Sequence, residues 1–212
     1  ATCKNRVLQR MEQTFDQQGF RLRIYDINDE AKGYTDYLIS NGSLAICYKY
    51  EIRKNINPRQ VGLVFSLPER FQQLEWERNG QWNYYPEDQI GRLKGSAVAK
   101  NANPISGPAG PTIKPKLAWA FDQNELGTND FRSTKMNISE AALADGTEKV
   151  IVVSDGSQSV RCWLENGKTN MLVASYSNMG SEGFFRPHAE LIDRPLKPGD
   201  YISGTVQLQF TK

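Results

Sequence analysis

Apolar and polar side chains alternate with a period of two along several stretches of this chain, the spacing that sends successive side chains to opposite faces of a strand. The clearest case is Leu44 to Ile52, where Leu44, Ile46, Tyr48, Tyr50 and Ile52 alternate with Ala45, Cys47, Lys49 and Glu51. That pattern predicts a strand with one face in a core and one in water. Arg21 to Ile27 alternates in the same way, Val61 to Leu67 puts Val61, Leu63, Phe65 and Leu67 on one side, and Tyr201 to Phe210 repeats through Ile202, Val206 and Leu208. Further strands are expected at Lys149 to Ser154 before an Asp155-Gly156 turn, at Ser159 to Leu164 before Asn166-Gly167, and at Asn170 to Tyr176. Such dipeptides favour tight hairpins, because Asn, Asp and Gly tolerate positive φ. Strands recurring at about ten-residue intervals predict an all-β sandwich or barrel.

Helical periodicity is scarce. Val7, Leu8, Met11 and Phe15 have helical spacing, yet Gln17-Gln18-Gly19 followed by a strand reads equally well as a hairpin, and Ser139 to Leu143 is the other short helical candidate. Between Lys100 and Lys116 the run KNANPISGPAGPTIKPK carries four prolines and two glycines. It excludes a helix or a paired central strand there. The run is either a linker between lobes or a long loop over a functional face, the second reading being favoured by Trp119 and Phe121 just beyond it. A chain of 212 residues accommodates one large β body or two small lobes.

Composition narrows the partners. The 26 Lys and Arg against 24 Asp and Glu nearly cancel and form no run of one sign, which argues against nucleic acid or a membrane surface. No stretch approaches the roughly 18 apolar residues of a membrane span, and ATCKNRVLQR at the start lacks the apolar segment of a signal peptide. Three cysteines without a CxxC pair indicate neither a disulfide framework nor a zinc site. Cys47 and Cys162, inside the strands AICYK and VRCWL, are expected to act as small core residues.

The densest chemistry lies in Trp76 to Arg92, WERNGQWNYYPEDQIGR, which interleaves aromatics with carboxylates, amides and two arginines. That mixture suits a sugar, whose apolar ring face stacks on Trp and Tyr while its hydroxyls take forked hydrogen bonds. Half-buried aromatics on antiparallel strands have the same composition. Catalytic sets are thinner. His188 is the single histidine and no GxSxG occurs, so an epimerase using two imidazoles or a Ser-His-Asp hydrolase is poorly supported. A glycosidase needs two carboxylates roughly 5 to 9 Å apart across the sugar. Glu75, Glu77, Glu87 and Asp88 are close in sequence, but alternation places Glu75 and Glu77 on one face as a solvated pair. No His or Asp cluster has metal-ligand spacing, and no cofactor is indicated.

These residues also carry a resemblance. The run GLVFSLPERFQQLEWERNGQWNYYPEDQIGR, preceded by LAICYKYEI, resembles the C-terminal domain of glycoside hydrolase family 2 enzymes of the β-galactosidase type. There a G-L-x-F-x-L-P strand leads into a G-P-x-E-N-Y-x-D-R segment. With Tyr85 on the motif tyrosine, Asn83, Tyr84, Glu87 and Asp88 stand where the family has Glu, Asn, Asp and Arg. Leu126 to Ser133 is similar to the stretch after the family's long loop, and Pro198-Gly199-Asp200 to its closing hairpin. The similarity runs from about Ala31 to Lys212.

The resemblance implies a single antiparallel supersandwich over residues 1–212, of the kind shared with galactose mutarotases, with a Pro- and Gly-rich loop at residues 100–118. It also implies that the catalytic carboxylates belong to a separate (β/α)₈ barrel, so this piece alone is expected to be inactive. Trp82, Tyr84, Tyr85, Glu87, Asp88 and Arg92 are then candidates for the rim of a sugar pocket, with Trp119, Asn129 and Arg132 behind them. Aromatics would stack on the sugar and the polar groups would read its hydroxyls; an Asp130–Arg132 ion pair would be structural. The expected partners are the catalytic barrel, the other domains of a parent enzyme and carbohydrate. The start at Ala1 without Met reads as that of an excised C-terminal piece. A stand-alone carbohydrate-binding module is the alternative, and an aldose epimerase a third.

Overall fold

In the segment Ser43–Ile52, Ile46, Tyr48 and Ile52 are buried while Cys47 and Lys49 face water, and this two-sidedness extends over the sheet around it. The computed structural model describes residues 3–80, 93–99, 134–177 and 194–211. They form eleven strands: β1 (Val7–Asp16), β2 (Gly19–Ile27), β3 (Ala31–Ser40), β4 (Ser43–Ile52), β5 (Gln60–Pro68) and β6 (Gln73–Arg78), then β7 (Lys94–Val98), β8 (Lys135–Ala144), β9 (Lys149–Glu165), β10 (Lys168–Ser177) and β11 (Tyr201–Thr211). All pairings are antiparallel, and there is no helix among the described residues. The all-β antiparallel class expected from alternation is the one adopted.

The strand order is β1-β2-β3-β4-β11-β9-β8-β6-β7, with β10 paired to β9 and β5 to β10. Strand β9 joins two layers. Its first part, Lys149 to Val153, lies between β11 and β8, whereas Ser159 to Glu165 pairs with β10. Side chains from both parts meet in one core: Val150, Val152, Val160 and Cys162 of β9 pack with Ile46, Leu74, Leu143, Met171, Val173 and Val206. Tyr48 of β4 reaches across to Ser175 of β10, hydroxyl to hydroxyl at 2.8 Å.

Gly156 makes the bend. Where Ile138 and Glu140 on β8 are separated by one residue, their partners Gln158 and Val153 on β9 are separated by four. Asp155 Oδ1 accepts the Ser157 N–H at 3.0 Å, and Gly156 takes φ +96°. The expected Asp155-Gly156 hairpin is therefore corrected: the same turn chemistry makes a wide bulge inside a continuous strand, because β8 and β10 hold the chain on both sides of it. Asn166 and Gly167, with φ of +52° and +68°, do make the tight β9–β10 hairpin.

Three further expectations meet the structure. Residues 7–15 are not helical but form the outer strand of a hairpin with β2, with Asp16 opposite Gly19. Ser139 to Leu143 is likewise strand, since β8 has a partner on each side and its alanines, 141, 142 and 144, are at most 2% exposed. Ladder pairing and close packing there override helical propensity. Cys162 is a buried core residue as expected, but Cys47 is exposed, lying on the wet face of β4 between Asp36 and Thr205. The Pro- and Gly-rich run at 100–118 lies outside the described residues.

The bend yields a prediction. A Cβ on Gly156 would both strain a left-handed backbone and run into the Asn79 amide, whereas one on Gly167 meets nothing. Gly156→Ala is expected to lower stability by about 1–3 kcal/mol, while Gly167→Asn stays within about 1 kcal/mol of the parent. Urea unfolding monitored by tryptophan fluorescence measures both.

Candidate functional site

Cross-strand register assembles a polar face on β1 to β4 and β11. Direct partners share a face, so Arg10, Tyr25, Tyr34, Lys49 and Ser203 form one row across five strands. Glu12, Arg23, Asp36, Cys47 and Thr205 form the adjacent row, and Ile27, Lys32, Glu51 and Tyr201 the next. With neighbouring strands about 4.8 Å apart, such a row is roughly 19 Å long. An open groove of about 540 Å³ lies over it, lined by Tyr25, Tyr34, Lys32, Lys49, Glu51 and Tyr201 among others.

Cations lie over the faces of the rings. Arg23 donates to Asp36 through Nε at 2.5 Å and Nη2 at 2.7 Å, a bidentate clamp, and its guanidinium sits 4.4 Å from the Tyr34 ring centre. The hydrogen bonds to Asp36 and then Tyr25 push the Arg23 pKa up, so it stays charged throughout the accessible pH range. Arg10 lies 4.4 Å from the Tyr25 ring centre and pairs with Glu12 at 2.8 Å. Tyr25 and Tyr34 are tilted neighbours at 5.9 Å, and the Tyr25 hydroxyl donates to Glu12 at 3.3 Å. Across the groove Lys49 approaches the Tyr201 ring at 5.1 Å, and Lys32 pairs with Glu51 at 3.3 Å. Tyr201 is 55% exposed. The result is a shallow floor with fixed ring edges and alternating charge.

Beneath the floor, the other face of β2, β3 and β4 carries a buried polar knot. Asp26, 3% exposed, accepts Arg6 Nε at 2.9 Å and Nη2 at 2.5 Å and the Tyr50 hydroxyl at 3.0 Å, all through Oδ2; its Oδ1 is buried without a hydrogen bond. Thr35 and Tyr50 hydroxyls lie 2.9 Å apart. Burial pushes the Tyr50 phenol up to about 12, the Thr35 hydrogen bond opposing it and the Asp26 charge adding to it. This knot ties the segment before β1 to the strands that carry Tyr25, Tyr34 and Lys49.

The sequence-derived rim residues Trp82, Tyr84, Tyr85, Glu87, Asp88, Arg92, Trp119, Asn129 and Arg132, together with Asp130 and His188, lie outside the described residues. Glu75 and Glu77 do share a face of β6, and each is ion-paired, Glu75 with Lys149 at 2.7 Å and Glu77 with Lys94 at 3.0 Å. Among the described residues no three His, Cys, Asp or Glu side chains cluster as a metal set. The tyrosine groove was not singled out in the sequence, although Lys49 and Glu51 were assigned to a wet face. Its available signal was the outward set Arg23, Tyr25 on β2 and Tyr34, Asp36 on β3, which needed the unrecognised strand β3 to be placed.

No family model matches the chain, and no curated protein does. Solved structures that overlap it include a galactose mutarotase related enzyme from Lactobacillus acidophilus, at 9% identity and TM-score 0.42 over 95% of this chain and 71% of that one. Another is a galactose mutarotase-like protein from Lactobacillus casei, at 12% identity and TM-score 0.43 over 95% and 73%.

The buried phenol predicts a pH dependence. Because the folded pKa of Tyr50 lies above its ordinary value of 10.0, the folded chain holds the proton more tightly. Its contribution is complete below pH 10 and is lost as pH rises toward about 12. Tyr50→Phe, which also removes the hydrogen bond to Asp26, is expected to be less stable near neutrality by about 1.5–3 kcal/mol yet to lose less stability in that alkaline window. Denaturant titrations at stepped pH compare the two chains.

Proposed function

We propose that this chain is a non-catalytic, glycan-facing sandwich domain of a larger glycoside hydrolase of the β-galactosidase type in family 2. The observation that carries the reading is the open groove. Its tyrosine rings carry Arg10, Arg23 and Lys49 over their faces, with the Tyr201 ring still half-exposed for a ligand, while Lys32, Glu51 and Asp36 supply polar groups at fixed spacing. Such a floor can hold a sugar by ring contact and hydrogen bonds without enclosing it. The paired carboxylates Glu75 and Glu77 lie on a separate strand and are each neutralised by a lysine, an arrangement suited to a surface and not to acid and base catalysis.

Within this reading the domain packs beside a catalytic barrel, and the segment containing Trp82, Tyr84, Tyr85, Glu87, Asp88 and Arg92, with Trp119, Asn129 and Arg132, borders the sugar pocket there. The resemblance of Gly62 to Arg92 to the family's strand and aromatic motif supports that assignment. The G-L-x-F-x-L-P portion forms β5, where Gly62 runs so close to β10 that a Cβ would meet the Val173 carbonyl. A stand-alone carbohydrate-binding module is the second reading, favoured by the exposure of Tyr201.

Calorimetric titration with galactose and β-linked galacto-oligosaccharides tests the groove. The purified chain is expected to bind oligosaccharide weakly, with Kd on the order of millimolar, and Tyr201→Ala to weaken binding roughly five- to tenfold, about 1 kcal/mol of ring contact. Micromolar affinity would select the module instead, and hydrolysis of an aryl galactoside by the chain alone would overturn the non-catalytic assignment. Binding unaltered by Tyr201→Ala would remove the groove from the reading; binding unaltered by Trp82→Ala would remove the rim.

A further inference from the structure

Strand β1 is the edge of the eleven-stranded sheet, paired among the described residues only with β2, and all ten of its residues are exposed. Val7, Leu8 and Met11 are more than half exposed and Phe15 is 83% exposed. By register, Met11, Gln13 and Phe15 stand on the same side as the buried Ile46 and Tyr48 of β4. The row Phe15, Phe20, Ile39, Leu44 and Leu208 runs from open solvent into the core, with Leu208 2% exposed and Ile39 50% exposed. Among the described residues, the apolar face of the sheet thus extends beyond the second layer. The outer edge of a strand of this length without Pro or Lys is a template for another strand.

We propose that β1 pairs antiparallel with β1 of a second copy, about a two-fold axis at Met11. The strand is self-complementary in that arrangement. Arg10 of each copy faces Glu12 of the other on the polar side, and Met11 faces its counterpart on the apolar side. Opposite residues in an antiparallel pair bring their Cβ atoms within about 5 Å, close enough for both contacts. A parallel in-register pairing would set Arg10 against Arg10 and Glu12 against Glu12, so charge selects the antiparallel form. Within one chain Arg10 and Glu12 already pair at 2.8 Å; joining two copies turns the pair into a four-charge cluster. The symmetry is isologous, the same residues serving on both sides.

Sedimentation of the full chain over a dilution series tests this. The parent is expected to show a reversible monomer–dimer equilibrium. Glu12→Arg, which sets like charges across the axis, is expected to raise the dissociation constant about tenfold or more. Arg10→Glu combined with Glu12→Arg exchanges the charges and is expected to restore the parent value, with unchanged far-ultraviolet circular dichroism in all three chains. A parent that is monomeric at every concentration, as it would be if this edge takes a strand from a different protein, overturns the proposal. A dimer indifferent to Glu12→Arg, or a loss not recovered by the exchange, overturns it equally.

Discussion

The bend at Asp155 and Gly156 is the constraint on which the two-layered body depends. A straight seventeen-residue strand would stay in one sheet, between β8 and β11 along its whole length. The bulge instead releases β9 from β11 after Val153 and delivers it to β10 from Ser159 onward, so the layer containing β10 and β5 folds over the other. Only then do Val160 and Met171 meet Val152 and Val206 in one core. Hydrophobic burial supplies the stabilisation, since a fully buried aliphatic side chain is worth about 1.5–3 kcal/mol, but backbone freedom at one glycine decides which side chains can share it.

Strands with strict alternation were legible before the structure. Leu44 to Ile52, Val61 to Leu67 and Tyr201 to Phe210 each sit within one element, as does Arg21 to Ile27. Strands β6, β7 and β8 were not, because β6 carries charges at three of its six positions and β8 is rich in alanine, a residue whose local preference is helical. The Asp155-Gly156 dipeptide announced a local reversal, but what the chain does next depends on partners far away in sequence. The groove was hidden for a related reason. Tyr25, Tyr34, Lys49 and Tyr201 have no shared motif, and register alone sets them side by side. Cys47 illustrates parity: its small apolar side chain suits a core, yet its place on β4 falls on the face opposite Ile46 and Tyr48.

The two faces of the β1 to β4 ladder are built for different surroundings. On one, cations brace aromatic rings over an open floor; on the other, an apolar row leaves the core and continues into solvent. The knot of Arg6, Asp26, Tyr50 and Thr35 lies on the face of the apolar row and helps fix the spacing of both faces, because its strand members belong to the strands that carry them. Its exposed arginine covers a carboxylate that is almost wholly withdrawn from water, so removing that single cation would leave a buried charge with one phenol for support.

Strand β11, C-terminal to the other ten described strands, lies in the middle of the sheet between β4 and β9. Among the described residues it alone joins, by ladder, the meander of the first four strands to the remaining six, a junction completed at Gln207 to Gln209, which pair on both sides. During synthesis the facing edges of β4 and β9 therefore stay open until β11, which follows both, has been made. Losing β11 would thus not fray a border but remove the keystone.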